Sequence, residues 1–268
     1  MSTRLTPQDI KSRKNDDTAI VCLTAYTAPM AQILDEYCDL ILVGDSMAMC
    51  LYGMPSTIGI SVDTMINHGR AVASHSKKAC VVVDMPFGSY ESSPELALEN
   101  AKRIMDETGC DAVKLEGGID AENTIDTLVK NGIPVMGHIG LQPQSVEKEG
   151  GYKVKGKTDT EIVKLLEDAH AVERAGAFSV VIEGTIENVA AHITENTNIP
   201  TIGIGASAQC DGQVLVSEDM LGMLSGHTPK FAKKFAQISD SIHEAVQEYS
   251  RDVKSRAFPS ADYIYKAK

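Results

Sequence analysis

Eight short runs of aliphatic and β-branched residues recur along the chain, at residues 19–23, 40–43, 80–83, 112–115, 133–136, 179–182, 201–204 and, less sharply, 213–216. Most hold almost no polar residue and do not alternate. That pattern predicts strands covered on both faces, as in a parallel sheet flanked by helices, because an antiparallel sandwich would alternate apolar and polar positions. Helical spacing fills the intervals, predicting helices over 29–37, 62–76, 94–107, 121–130, 159–175 and 186–194. The clearest helix sets Ile162, Leu165, Leu166, Ala169 and Val172 on one face behind a Thr158-x-x-Glu161 capping box. Ser93 before Pro94 marks another start, and Gly109, Gly132 and Gly176 stand where left-handed residues end helices. Regular strand-then-helix alternation with eight strands predicts an α/β fold, a (β/α)8 barrel. The runner-up is an open doubly wound sheet, against which no GxGxxG follows the first strand.

The predicted organisation is a single barrel domain over 1–268, with a polar N-terminal arm at about 1–17 and a C-terminal helix and tail at about 233–268 carrying Phe258, Tyr263 and Tyr265. Exposed aromatics call for a partner, so the tail is expected to pack on the barrel or on a neighbouring subunit. Residues 139–158 break the regular unit with a long Gly-, Gln- and Lys-rich loop. It reads as a lid or clamp, or equally as a plain surface connection.

A net charge of −12 disfavours a nucleic-acid or anionic-membrane surface and favours a small-molecule partner. No apolar run approaches the ~20 residues of a membrane span and no signal core opens the chain, so a cytoplasmic protein is expected. The six cysteines lack CxxC spacing and are expected to be reduced and structural.

Strand ends are where the chemistry collects. In a parallel barrel the carboxyl ends of successive strands converge on one mouth, so Asp45, Asp84, Lys114, Glu116, His138 and Glu183 are expected to share a site. Neighbouring strands lie ~4.8 Å apart, which lets Asp45 and Asp84 reach one cation. With Glu116 they make a hard oxygen site suited to Mg²⁺ rather than Zn²⁺, although each Asp alone would serve equally well as a helix N-cap. Lys114 and Glu116 point to the same side of a strand: either the Lys stabilises charge on a bound oxygen, or the two form a structural pair. His138, between Gly137 and Gly140, has backbone room near a ligand or else is simply structural, and Glu183, ending an apolar strand, is either a partly desolvated general base or a buried carboxylate paired with a Lys or a backbone amide. Ser46 is placed to hold a carboxylate, and the loop 203–207 is a weaker phosphate candidate. Together these residues suit formation of an enolate beside a carbonyl.

Seven strings in order carry a resemblance: Val43-Gly44-Asp45-Ser46, Asp84-Met85-Pro86-Phe87, Val113-Lys114-Leu115-Glu116-Gly117-Gly118, Gly137-His138-Ile139-Gly140-Leu141-Gln142-Pro143-Gln144-Ser145, Gly150-Gly151-Tyr152-Lys153-Val154, Gly203-Ile204-Gly205-Ala206 and Pro229-Lys230-Phe231-Ala232. Over about 24–235 the chain closely resembles the ketopantoate hydroxymethyltransferase family. The resemblance implies a barrel of the phosphoenolpyruvate/pyruvate superfamily, often assembled as a homodecamer. It implies transfer of a hydroxymethyl group from 5,10-methylenetetrahydrofolate, as co-substrate, to 3-methyl-2-oxobutanoate, the first step of pantothenate synthesis. Carried over by motif, Asp45, Asp84 and Glu116 look like the shell of one Mg²⁺ per subunit. Asp45, Ser46, Asp84, Lys114 and His138 look like substrate contacts, and Glu183 like the proton acceptor.

Two other functions compete. One is a Mg²⁺-dependent lyase of the same superfamily, such as an isocitrate-lyase-like protein, but the Lys-Lys-Cys-Gly-His string such an enzyme would carry is missing. The other is a non-catalytic metabolite-binding paralogue, which the intact set of charged strand-end residues argues against.

Overall fold

The computed structural model describes residues 4–224, 226 and 229–266. The first three residues of the predicted arm and the last two of the predicted tail lie outside that range. The chain divides into two compact units, Met1–Val216 and Ser217–Lys268.

The first unit holds a closed barrel of eight parallel strands in sequential order: β1 (Ile20–Thr24), β2 (Leu40–Val43), β3 (Cys80–Asp84), β4 (Ala112–Glu116), β5 (Val135–Gly140), β6 (Ser179–Glu183), β7 (Thr201–Ile204) and β8 (Gly212–Leu215). Every neighbouring pair is parallel, and β8 closes on β1. The unbroken apolar runs have a simple physical cause. Alternate residues Cys22, Leu40, Leu42, Cys80, Val82, Ala112, Met136, Val181, Ile202 and Val214 form one buried cluster inside the barrel. The residues between them, among them Ile41, Val43, Val81, Val83, Val113, Val135, Val180 and Ile182, belong to a second cluster beneath the helices. Both faces of most strands are therefore apolar.

Helices Ala28–Leu34, Val62–Ala73, Pro94–Thr108, Glu122–Lys130, Asp159–Arg174 and Glu187–Glu195 follow β1 to β6. Thr27, Ser61, Ser93 and Thr158 cap four of them with side-chain oxygens, each accepting from a backbone N–H of the first turn. A helix of comparable length is missing between β7 and β8.

The arm before β1 is more than polar chain. Thr6 and Asp9 form a reciprocal capping box that starts a helix, Pro7–Lys11, whose Ile10 is fully buried with the interior cluster. Lys14 then pairs with Asp211 at 2.9 Å and Arg13 with Asp39 at 2.6 Å, both beside the amino ends of strands. This segment closes the end of the barrel opposite the strand termini that carry the chemistry.

In the second unit the helix runs from Ile238 to Lys254, starting five residues later than the spacing predicts, and exposes Ile242, Val246, Tyr249 and Val253. Its aromatic tail folds back on it: the Phe258 ring lies 5.6 Å from Tyr249 and 5.8 Å from Tyr263. Among the described residues no helix is long and apolar enough to cross a membrane.

Candidate active site

Inward-facing positions at the carboxyl ends of β3 to β6 carry Asp84, Lys114, Glu116, His138 and Glu183, with Asp45 just past β2. The strand register sets Asp84 beside Lys114 and Glu116 beside His138. From this register comes a continuous line of contacts. Lys114 Nζ lies 3.1 Å from Asp84 Oδ1 and 3.3 Å from His138 Nδ1, and His138 Nε2 lies 3.2 Å from Glu183 Oε2. The Asp45 backbone N–H donates to Asp84 Oδ2 at 3.1 Å, which brings the fifth residue to the same group. Glu116 Oε1 stands 3.7 Å from His138 Nδ1. Ser46 follows Asp45 directly, its hydroxyl hydrogen-bonded with that of the buried Tyr26 at 2.9 Å.

Burial and mutual charge set the electrostatics. Burial, then the neighbouring Asp84 charge, push the Asp45 carboxyl up to about 7, while Lys114 and the amide of Gln144 oppose the rise. Burial likewise raises Glu116, with Asp45 adding to it. Burial alone would lower Lys114, but Asp84, Asp45 and Glu116 outweigh it and hold the ammonium above its ordinary range. His138 is lowered by burial and then by the Lys114 charge, so it is neutral near pH 7. Since a charged Lys can only donate, His138 Nδ1 accepts and Nε2 carries the hydrogen. That nitrogen and Asp84 Oδ1 are among the buried polar atoms lacking a well-directed hydrogen bond.

Two residues that sequence reasoning passed over complete the site. Gln144 and Tyr90 are 5% and 4% exposed. Gln144 Nε2 donates to Asp45 Oδ2 at 2.8 Å and to the Met85 carbonyl at 3.0 Å, its backbone N–H reaches the Glu116 carboxylate at 3.1 Å, and its Oε1 accepts from the Tyr90 hydroxyl at 2.5 Å. The available signal was position: Gln144 stands four residues beyond β5, just after a strand end, but carries no charge to draw notice.

Several expectations change. Asp45 and Asp84 are not helix caps; Ser46 precedes the short helix Met47–Cys50, and its side chain makes no capping bond. Lys114 pairs with Asp84 rather than forming an isolated pair with Glu116. Gly137 makes room for a helix, not for a ligand, since a Cβ there would meet Val172 Cγ1 at 2.4 Å. Gly140, at φ +89°, lets the chain pass the Glu183 carbonyl, which a Cβ would meet at 2.3 Å. The loop 203–207 is no phosphate cradle, because Ser207 Oγ donates to the Glu187 carboxylate at 2.9 Å, which would repel an anion. All six cysteines are free, as expected.

Among the described residues no three acidic or histidine side chains stand together as a ready metal cage. Both Glu116 oxygens accept from Gln144 N–H, which leaves Asp45 and Asp84 as the adjacent carboxylate pair. Two buried carboxylates, one with an oxygen that has an ion-pair partner but no well-directed hydrogen bond and the other raised by burial and then by its neighbour's charge, fit a hard divalent cation that retains other oxygen ligands.

Residues 4–261 match the family described as ketopantoate hydroxymethyltransferase. A relative from Rhizobium etli, named 3-methyl-2-oxobutanoate hydroxymethyltransferase, is 57% identical over 263 residues, covering 98% of this chain and 96% of its own. Among solved structures, phosphoenolpyruvate phosphomutase from Streptomyces platensis subsp. rosaceus superposes with a TM-score of 0.62 at 11% identity, covering 98% of this chain and 92% of that one. A 2,3-dimethylmalate lyase, described as a member of the PEP mutase/isocitrate lyase superfamily, gives 0.60 at 15% identity over 97% and 91%. These two structures share the (β/α)8 architecture, and the match along nearly the whole sequence narrows it: the chain belongs to the ketopantoate hydroxymethyltransferase family.

Proposed function

We propose that this chain transfers a hydroxymethyl group from 5,10-methylenetetrahydrofolate to 3-methyl-2-oxobutanoate, giving 2-dehydropantoate, the first step of pantothenate synthesis. The observation that carries the proposal is the line Asp84–Lys114–His138–Glu183 across four adjacent strands, a cation-binding end joined to a base in a chain of this family. Asp45 and Asp84 would hold Mg²⁺, with Glu116 beside them. When bound, the ion supplies a Lewis acid that draws charge from the oxygens of a chelated 2-oxoacid.

The protein's own groups divide the remaining work. Lys114, charged and buried, holds the negative charge that grows on the keto oxygen as C3 loses its proton. Glu183 takes that proton. Among the four carboxylates at the strand ends, Asp45 Oδ2, both Asp84 oxygens and both Glu116 oxygens are already engaged, whereas Glu183 is 15% exposed and meets only His138 among the contacts above. His138 stays neutral, with its Nε2 lying 3.2 Å from that carboxylate. Ser46, beside Asp45, is placed to hold the substrate carboxylate. Water breaks the C–N bonds that hold the one-carbon unit, so tetrahydrofolate leaves with its nitrogens reprotonated and the carbon is freed at the aldehyde level. The nucleophilic C3 then attacks that carbon, whose oxygen takes a proton to become the new hydroxyl. Self-association as a homodecamer and residence in the cytoplasm belong to the same proposal.

Incubation of the purified chain with the oxoacid, Mg²⁺ and methylenetetrahydrofolate is expected to yield 2-dehydropantoate by mass spectrometry. No product across a series of divalent cations would overturn the proposal.

A further inference from the structure

Gln144 lies on a single 3-10 turn, Pro143–Ser145, in the loop after β5, yet its amide is committed entirely to the mouth of the barrel. Both Nε2 hydrogens go to acceptors, Asp45 Oδ2 and the Met85 carbonyl, and Oε1 takes the Tyr90 hydroxyl. The Tyr90 oxygen in turn accepts from the Glu116 backbone N–H at 3.2 Å, and the Gln144 backbone N–H returns to the Glu116 carboxylate. This closed set fixes the amide's orientation. Turned over, it would set its oxygen against a carboxylate and a carbonyl, and its NH₂ against a hydroxyl that already accepts from Glu116.

The direction of these bonds has a consequence for Asp45. One of its oxygens is pinned by a neutral donor that is itself held from two sides, so the other oxygen is presented in a set direction. Hydrogen bonds of this kind to a ligating carboxylate orient it and tune its affinity. Packing alone does not account for the arrangement, because a leucine of similar volume would fill the space while leaving three polar groups, Asp45 Oδ2, the Met85 carbonyl and the Tyr90 hydroxyl, without the partner the amide gives them.

We infer that Gln144, braced by Tyr90, is a positioning residue for divalent-cation binding at Asp45. It makes the turn after β5 part of the cation site without contributing a ligand. The inference rests on the assignment of Asp45 to the cation in the proposed function, but not on the identity of the organic substrate.

The test uses the full chain with Mn²⁺ as probe, free Mn²⁺ being counted by electron paramagnetic resonance with neither oxoacid nor folate present. Gln144→Leu is expected to weaken Mn²⁺ binding by about ten- to a hundred-fold, the range for lost partners of metal ligands, while circular dichroism still reports a folded barrel. Tyr90→Phe, which removes the brace alone, is expected to weaken it several-fold. A folded Gln144→Leu protein with wild-type Mn²⁺ affinity would overturn the inference, and if that variant does not fold, unchanged affinity in Tyr90→Phe overturns it. A wild-type chain that makes 2-dehydropantoate yet binds no Mn²⁺ would remove both the cation assignment and this inference. A chain that makes no product but loses Mn²⁺ affinity on Gln144→Leu would leave the inference standing and remove only the reaction.

Discussion

Asp84 and Lys114 are register partners on β3 and β4, and the buried Lys114 ammonium sits 3.1 Å from Asp84 Oδ1. It is the positive charge facing a group of buried carboxylates that includes Asp45 and Glu116. Lys114→Met should therefore leave those carboxylates uncompensated and cost about 3–5 kcal/mol in urea denaturation near pH 8, the usual penalty for breaking a buried pair. Added Mg²⁺ should restore part of the loss by supplying positive charge at the same place. Unchanged stability would mean that Lys114 does not balance the site.

His138 gives a pH signature of known sign. Its folded pKa lies below the ordinary 6.5, so below that pH the unfolded chain binds a proton the folded chain resists. The histidine thus lowers stability progressively as pH falls through 6.5 and has no such effect above it. Thermal melts of wild type and His138→Gln from pH 8 to pH 5 should show the wild type losing ground relative to the variant as the solution is acidified. A constant difference would mean that His138 titrates normally.

The loop after β5 is anchored at both ends and lightly held between. Gln144 fixes its start and Lys155 bridges to Thr185 near its end, while the middle offers a Lys155–Glu149 ion pair and a long contact from the Tyr152 hydroxyl to Met49 sulfur at 3.7 Å. A segment built this way can close over substrate and protect an enolate from water. Proteolysis within residues 148–157 should slow when Mg²⁺ and 3-methyl-2-oxobutanoate are both present. Cleavage at the same rate would show a loop that does not respond to the site.

The barrel was legible because both faces of its strands are buried, which writes them as unbroken apolar runs: β2 and β7 fall at the predicted bounds and the other six within a few residues. The helix Pro7–Lys11 was not legible, because its one buried residue, Ile10, stands alone among polar neighbours and leaves no periodicity. At the site, convergence of strand ends anticipated that Asp45, Asp84, Lys114, His138 and Glu183 would meet. The pairing among them was not anticipated, since spacing along β4 sets Lys114 and Glu116 on one side but register across strands gives Lys114 to Asp84. Gln144 escaped notice because its work is done by neutral hydrogen bonds. Gly137 misled because the space beside a glycine belongs to whichever element packs there, here Val172.

The central claim is that Glu183 removes the C3 proton of the oxoacid before the one-carbon unit arrives. It is tested most directly by following exchange of that hydrogen with D₂O by proton NMR, with Mg²⁺ present and folate absent. Wild type should exchange the C3 hydrogen, and Glu183→Gln should lose that exchange by about two to four orders of magnitude while calorimetry still finds Mg²⁺ and oxoacid bound. Exchange at the wild-type rate in Glu183→Gln would contradict the claim and pass the base to another group.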